Sequence, residues 1–115
     1  MYLPTTFEDL IKEADKIGLY KQLINQLNKD FILANIDLGF DEEILPLSLK
    51  LILQEKIYTL IQEKFTDYLN LLYIIDVSEK KVKQLDGSDV VQLSEQVSFL
   101  ILLREWQKVW YKNNY

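Results

Sequence analysis

The fold is decided by the stretch Asp89–Asn113, which reads DVVQLSEQVSFLILLREWQKVWYKN. Neither Gly nor Pro interrupts it, so a single helix can run through its whole length. Two apolar stripes follow the spacing of three and four residues that a helix brings onto one face. The first stripe consists of Val90, Leu93, Val97, Leu100 and Ile101, and the second, roughly opposite, of Phe99, Leu102, Leu103, Trp106 and Trp110. A helix that is apolar on two sides is either enclosed by other helices or placed between a core and a partner.

The composition favours helices in the rest of the chain as well. With 115 residues the chain fits one domain, residues 1–115, which can bury a sizeable core. Apolar residues make up 49% and charged residues 27%, as in ordinary globular proteins. Three Gly and two Pro are too few for a turn-rich all-β fold. The abundance of Leu, Ile, Lys, Glu and Gln indicates helix instead.

Two helices are predicted before the first long loop. Thr5 with Glu8 matches the Thr-x-x-Glu capping box, and helix 1 is expected over residues 6–17. Gly18 ends it, because glycine readily takes the left-handed conformation of a helix C-terminal cap. Helix 2 begins near Tyr20 and fades near Ala34. The link at Gly18 is so short that the two helices should form an antiparallel hairpin.

A long third helix is predicted after Pro46, which suits a first helical turn. Its polar sector keeps its phase past Thr66-Asp67, which indicates one helix of about 26 residues, Leu47–Leu72, near 39 Å long. A kink at Thr66-Asp67 is the main alternative. Leu71–Ile75 could also be a buried strand, although a lone strand would have no partner in this chain. The apolar stripe of the long helix runs through Leu47, Leu51, Tyr58, Ile61, Phe65, Leu69 and Leu72, and is widened by Leu49, Leu53, Ile57 and Leu60.

A short helix, Ser78–Leu85, is expected before the last one, with Ser78 as its N-cap and Asp86-Gly87 ending it. Ser88 or Asp89 caps the last helix. The sequence therefore predicts an all-α fold: a bundle of four principal helices plus one short helix, with the C-terminal helix central.

The residue types exclude several kinds of chemistry. The chain has neither Cys nor His, which removes thiolate nucleophiles, Cys-based metal sites and the commonest general base. No Gly-rich phosphate loop and no Gly-x-Ser-x-Gly turn is present. We expect no enzyme activity, no metal and no cofactor. Five helical acids could in principle act as acid–base pairs, but we expect them to be solvated; they are Glu55, Glu63, Asp67, Glu95 and Glu105.

An acidic loop lies between helices 2 and 3, in the segment 35–45. It contains Asp37, Asp41, Glu42 and Glu43, with no basic residue among them. The spacing does not match a calcium-binding EF-hand loop. Acids that precede a helix favour its positive end, which is the simpler interpretation. The functional interpretation is a docking patch for a basic partner. The alternating Ile36, Leu38 and Phe40 indicate a loop that packs apolar side chains onto the bundle, with a short extended segment as the alternative.

The aromatic end of the last helix is a second candidate site. Trp106 and Trp110 continue one apolar stripe, so core packing is the default interpretation. The alternative is a self-association or partner surface formed by Trp106, Val109, Trp110 and Tyr111. We expect this end of the helix to be the most exposed, because fewer neighbours are available near a chain end.

Two classes of function remain. The net charge of −5 argues against binding to nucleic acid or to an anionic membrane. No signal peptide and no membrane-spanning run are evident, so a cytoplasmic protein is expected. The first class is a non-catalytic protein-interaction or oligomerisation module, a homodimer being one form. The second is an acidic inhibitor of a basic protein, since in composition and fold class the chain is similar to small helical inhibitors of basic toxins.

Overall fold

The chain folds entirely into helices and loops in the computed structural model, which describes residues 2–115. No strand occurs within these residues, so the predicted all-α class is confirmed and the strand interpretation of Leu71–Ile75 is wrong. The helices are α1 (Phe7–Lys16), α2 (Tyr20–Leu33), α3 (Pro46–Glu63), α4 (Phe65–Ile75), α5 (Glu79–Lys83) and α6 (Val90–Asn114).

Helix α6 is central, as predicted, because it contacts α1, α2, α3 and α4. Its middle is buried, including Val97 and Ile101 from the first predicted stripe and Leu102 and Trp106 from the second. Asp89 caps its start by accepting a hydrogen bond from the backbone of Gln92 at 3.2 Å. The two-sided apolar pattern thus reflects enclosure by other helices of the same chain.

Helix α1 begins one residue later than the predicted capping box allows. The side chain of Thr6, not Thr5, accepts a hydrogen bond from the backbone N–H of Asp9 at 3.1 Å. The spacing between Thr6 and Asp9 is the same as the spacing between Thr5 and Glu8. The observed N-cap is therefore the same kind of arrangement, moved by one residue. Gly18 adopts φ +71° and ends the helix as predicted. The backbone N–H of Leu19 then donates to the carbonyl of Ala14 at 2.8 Å, which completes a Schellman motif.

The predicted long helix is divided into two, so its description as one helix is wrong. The break lies at Lys64, whose backbone has φ −141° and ψ 61°, two residues before the predicted kink at Thr66-Asp67. A straight helix over Leu47–Leu72 would be near 39 Å long at about 1.5 Å per residue. The longest extent of the whole molecule is 36 Å. The break lets α3 and α4 contact each other while both contact α6.

The start of α5 and the loop 35–45 agree with their predictions. Ser78 caps α5 by accepting a hydrogen bond from the backbone of Lys81 at 3.3 Å. In the loop 35–45, Phe40 is buried and its backbone pairs in both directions with the side-chain amide of Asn28, at 2.8 and 3.0 Å. The loop therefore packs its apolar side chains onto the bundle and forms no extended strand.

The membrane-spanning capacity of the helices in residues 2–115 is limited by their length and polarity. No helix there is both long enough and apolar enough to cross a bilayer.

Candidate functional site

A polar cluster is buried between α2 and α6. Helix α2 supplies Gln26 and Asp30, one turn apart, and α6 supplies Glu105 and Lys108. Glu105 is 0% exposed and Asp30 is 5% exposed. The ammonium of Lys108 donates to Asp30 Oδ2 at 2.7 Å, and the amide of Gln26 donates to the same oxygen at 3.1 Å. Two carboxyl groups and one ammonium group thus lie together inside the bundle.

In this buried cluster the Glu105 side chain is a neutral acid at neutral pH. Burial raises the pKa of Glu105 to about 9, and the hydrogen bond and negative charge of Asp30 add to the effect, whereas Lys108 opposes it. The ammonium of Lys108, 3.2 Å from Glu105 Oε1, favours the carboxylate form but does not outweigh burial and Asp30. As a neutral acid, Glu105 donates to Asp30. The cluster then contains one negative and one positive charge.

Asp30 is held in the opposite protonation state. Burial acts to raise the pKa of Asp30, but hydrogen bonds from Glu105, Lys108 and Gln26, together with the charge of Lys108, outweigh it and lower the pKa. Neighbouring carboxyls with separated pKa values are the arrangement used in acid–base catalysis. Here the proton donor is completely buried, so a substrate has no access to it. The cluster instead joins α2 to α6 through the ion pair of Lys108 with Asp30.

The expectation that Glu105 is solvated was therefore wrong. The available signal was its position between the two apolar stripes of a helix that was predicted to be enclosed. Its partner Asp30 could not be found this way, because only the fold brings α2 against α6. Glu55, Glu63, Asp67 and Glu95 are exposed, as expected.

The aromatic end of α6 lies mostly inside the core. Trp106 is 0% exposed and Val109 is 2% exposed, so the expectation that they are exposed was wrong and core packing holds for both. Trp110 is half-buried, while Tyr111 is 49% exposed. The ring of Trp110 packs edge-on against Tyr111 at 5.4 Å and against Tyr115 at 6.0 Å between centroids. The intramolecular contacts of α6 thus occupy most of the surface that was expected to be available to a partner.

The acidic loop holds its four carboxylates in solvent. Asp37, Asp41, Glu42 and Glu43 are all exposed. Glu42 accepts a hydrogen bond from the side-chain amide of Asn25 at 2.6 Å, and Glu43 lies 3.7 Å from the ammonium of Lys21. Asp41 accepts a hydrogen bond from the backbone of Glu43 at 2.7 Å. The loop is fixed against α2, and its binding to a basic partner stays a prediction.

An apolar surface covers the outer side of α3 and α4. Its side chains are between 38% and 84% exposed, and we call it the α3–α4 surface; its residues are Leu47, Leu51, Tyr58, Phe65, Leu69 and Tyr73. The core is faced by a different row, on the other side of α3, which consists of Leu49, Leu53, Ile57 and Leu60. The sequence pattern predicts both rows to be buried, with the first as the centre of the stripe and the second as its margin. The structure reverses this order.

A groove lies between α4 and α5, next to the α3–α4 surface. Its volume is about 620 Å³, and its apolar walls come from Leu69, Leu72 and Tyr73 of α4, Val77 of the connection and Val82 of α5. Tyr73 is 84% exposed and Leu69 is 51% exposed, so the groove opens to solvent along α4.

Comparison of the chain with known protein families, with characterised proteins and with solved structures gave no match. Proposals about its function therefore rest on the sequence and the structure alone.

Proposed function

We propose that the protein is a non-catalytic protein-interaction module and that the α3–α4 surface is its contact surface. The observation that carries this proposal is the exposure of six large apolar side chains, between 38% and 84%, on two helices that contact each other. The core has its own row on α3, so these residues are not needed to hold the bundle together. Apolar surface that exceeds the needs of folding is typical of a binding site.

The chemistry of the surface supports a protein as the occupant. Half of its six residues are aromatic, a type that is enriched in protein interfaces. Polar side chains flank it on both helices, including the exposed Glu55 and Gln62 of α3 and Thr66 of α4. An apolar centre with a polar rim is the usual anatomy of an interface. Burial of each half-exposed apolar side chain would contribute roughly 1 kcal/mol, about half the value for a fully exposed one.

The alternative function, inhibition of a basic protein through the acidic loop, is distinguished by its salt dependence. Contacts between exposed charges weaken strongly as the ionic strength rises, because screening shortens their range to about 10 Å at 0.1 M salt. Burial of apolar side chains is not weakened by salt in this way. Binding that persists at high salt therefore supports the α3–α4 surface, and binding that salt abolishes supports the loop.

The test compares two variants of the whole chain as immobilised baits. In the first, Leu51→Glu and Leu69→Glu place charges in the α3–α4 surface; in the control, Thr59→Glu and Asn70→Glu add the same charges at exposed polar positions of the same helices. A partner captured by the natural chain is then purified and titrated against all three by calorimetry. We expect the control to bind and the double Leu variant to bind at least tenfold more weakly. Equal binding to both variants would overturn the proposal.

A further inference from the structure

The charges of α3 and α4 differ from those of the rest of the chain. Residues 46–75, which form the two helices and their link, contain three basic and three acidic side chains and so have no net charge; the bases are Lys50, Lys56 and Lys64, and the acids are Glu55, Glu63 and Asp67. The whole chain has a net charge of −5, so all of this excess lies outside α3 and α4. The α3–α4 surface therefore belongs to the electrically balanced part of an acidic protein.

This balance bears on the choice of partner. Two copies of the chain each carry a net charge of −5 and repel each other at long range. The repulsion is smallest when the copies approach through the helices that have no net charge. A basic foreign protein would instead be attracted to the acidic loop 35–45, which contains no base. Charge thus directs a second copy, rather than a basic partner, to the α3–α4 surface.

The chemistry of the surface also suits contact with itself. In a twofold dimer the same surface lies on both sides of the contact, so it must be compatible with its own copy. All six residues of the α3–α4 surface are uncharged, and three of them are aromatic. Apolar and aromatic side chains pack well against their own kind. A surface of this composition meets the requirement of a twofold contact.

The size of the surface is in the range of a stable dimer. Its six side chains are between 38% and 84% exposed. Each would bury roughly 100 Å², about half the area of a fully buried aromatic side chain, so that the six would bury roughly 600 Å² on each copy. A standard interface buries about 800 Å² per partner and has a polar rim. The exposed Gln62 and Thr66 beside the surface would contribute to this rim.

We propose that the partner of this module is a second copy of the chain, and that the α3–α4 surface of each copy contacts the same surface of the other in a twofold dimer. The proposal rests on the interaction function proposed above and names its partner. Burial of apolar side chains holds the dimer together, so salt does not dissociate it. Salt should strengthen the association instead, because it screens the repulsion between two acidic chains.

Sedimentation equilibrium of the full chain, from about 1 µM to about 1 mM, tests for the dimer and covers ordinary as well as weak association. The surface variant carries Leu51→Glu and Leu69→Glu. The control carries Thr59→Glu and Asn70→Glu, which add the same two charges at exposed polar positions of the same helices. Circular dichroism verifies that both keep their helices. We expect the natural chain and the control to dimerise, and the surface variant to associate at least tenfold more weakly.

A mixture of variants tests whether the surface contacts its own copy. A third variant carries Leu51→Lys and Leu69→Lys. On its own, it places positive charges on both sides of a twofold contact, just as the surface variant places negative charges on both sides. An equimolar mixture of the two variants places opposite charges across the contact. We expect the mixture to associate at least tenfold more strongly than either variant alone.

Four results would overturn the proposal. They are a natural chain that is monomeric at about 1 mM, a surface variant that associates as well as the control, a mixture that associates no more strongly than its components, and a dimer that dissociates when salt is raised from about 0.05 M to about 0.5 M. A monomeric chain that binds another protein, with loss of that binding in the surface variant, would leave the proposed function standing and remove only the second copy. If that binding is absent too, both proposals fail.

Discussion

The interface between α2 and α6 buries charged groups, whereas the outer side of α3 and α4 exposes apolar ones. At the first, Glu105 is 0% exposed; at the second, Tyr73 is 84% exposed. In the interface, hydrogen bonds and a retained proton offset most of the cost of burial. On the outer side, nothing in residues 2–115 covers the apolar side chains. The first region is therefore complete within one chain, and the second has the composition of a surface that another molecule completes.

Among changes to charged groups, the comparison predicts the largest effect for removal of the cation of the buried cluster. Lys108→Met leaves Asp30 as a buried carboxylate without its counter-charge. We expect the free energy of unfolding to fall by about 3 kcal/mol at pH 7, the lower end for a broken buried ion pair, because Lys108 itself is 22% exposed. Urea unfolding measures this. The loss should shrink at acidic pH, where protonation of Asp30 removes the unpaired charge.

Arg104→Met is the matched control on the same helix. Arg104 pairs with Asp76 at 3.1 Å, but the Asp76 side chain is 80% exposed. We expect a change below about 1 kcal/mol, as for other surface ion pairs. An equal loss in both variants would mean that burial does not distinguish the two pairs.

A second prediction concerns the pH dependence of stability. In the folded state the pKa of Glu105 is raised from 4.5 to about 9, so the folded protein keeps a proton that the unfolded chain releases. The stabilisation is complete below about pH 4.5 and is lost progressively as the pH rises to about 9. Glu105→Gln retains a neutral hydrogen-bond donor for Asp30. We expect it to stabilise the protein by about 1–2 kcal/mol at pH 7 and to flatten this part of the pH profile.

Thermal unfolding of both proteins at pH 5, 7 and 9 provides the measurement. The advantage of the Gln variant should be smallest at pH 5 and largest at pH 9. An advantage that stays constant from pH 5 to pH 9 would mean that Glu105 is already ionised in the folded protein.

A third prediction contrasts the buried carboxyl of Glu105 with the exposed carboxylates of the acidic loop. Replacement of Asp41 by Asn and of Glu42 and Glu43 by Gln should change the free energy of unfolding by less than about 1 kcal/mol, because their contacts lie at the surface. Urea unfolding checks this at low protein concentration. A loss of several kcal/mol would show that the loop holds a bound cation or a network that the exposed positions do not suggest.

The smallest change in stability is expected for a substitution on the α3–α4 surface. Leu69 is 51% exposed, so Leu69→Glu should change the stability of the monomer by no more than about 0.5 kcal/mol. Leu71, two residues further along the same helix, is 0% exposed, and Leu71→Ala should remove about 2–5 kcal/mol. Chemical unfolding of the two variants side by side tests the contrast. A large loss in Leu69→Glu would indicate that the α3–α4 surface belongs to the core.

The sequence by itself determined the all-α class, the central position of α6 and the approximate positions of most helices. These follow from local features: the periodicity of apolar residues, Gly18 and Pro46 at helix ends, and the caps Ser78 and Asp89. Such features act over three or four residues, so they can be recognised in one chain without knowledge of its fold.

Tertiary structure decided the rest. The break at Lys64 has neither Gly nor Pro to mark it, and it brings α3 and α4 into contact with each other. Which of the two apolar rows of α3 is buried depends on how far that helix is rotated about its axis, and only its contacts with α6 and α4 fix this rotation. The proton on Glu105 depends on Asp30, which is distant in sequence. Local patterns specify each helix, but burial and ionisation depend on which helices meet.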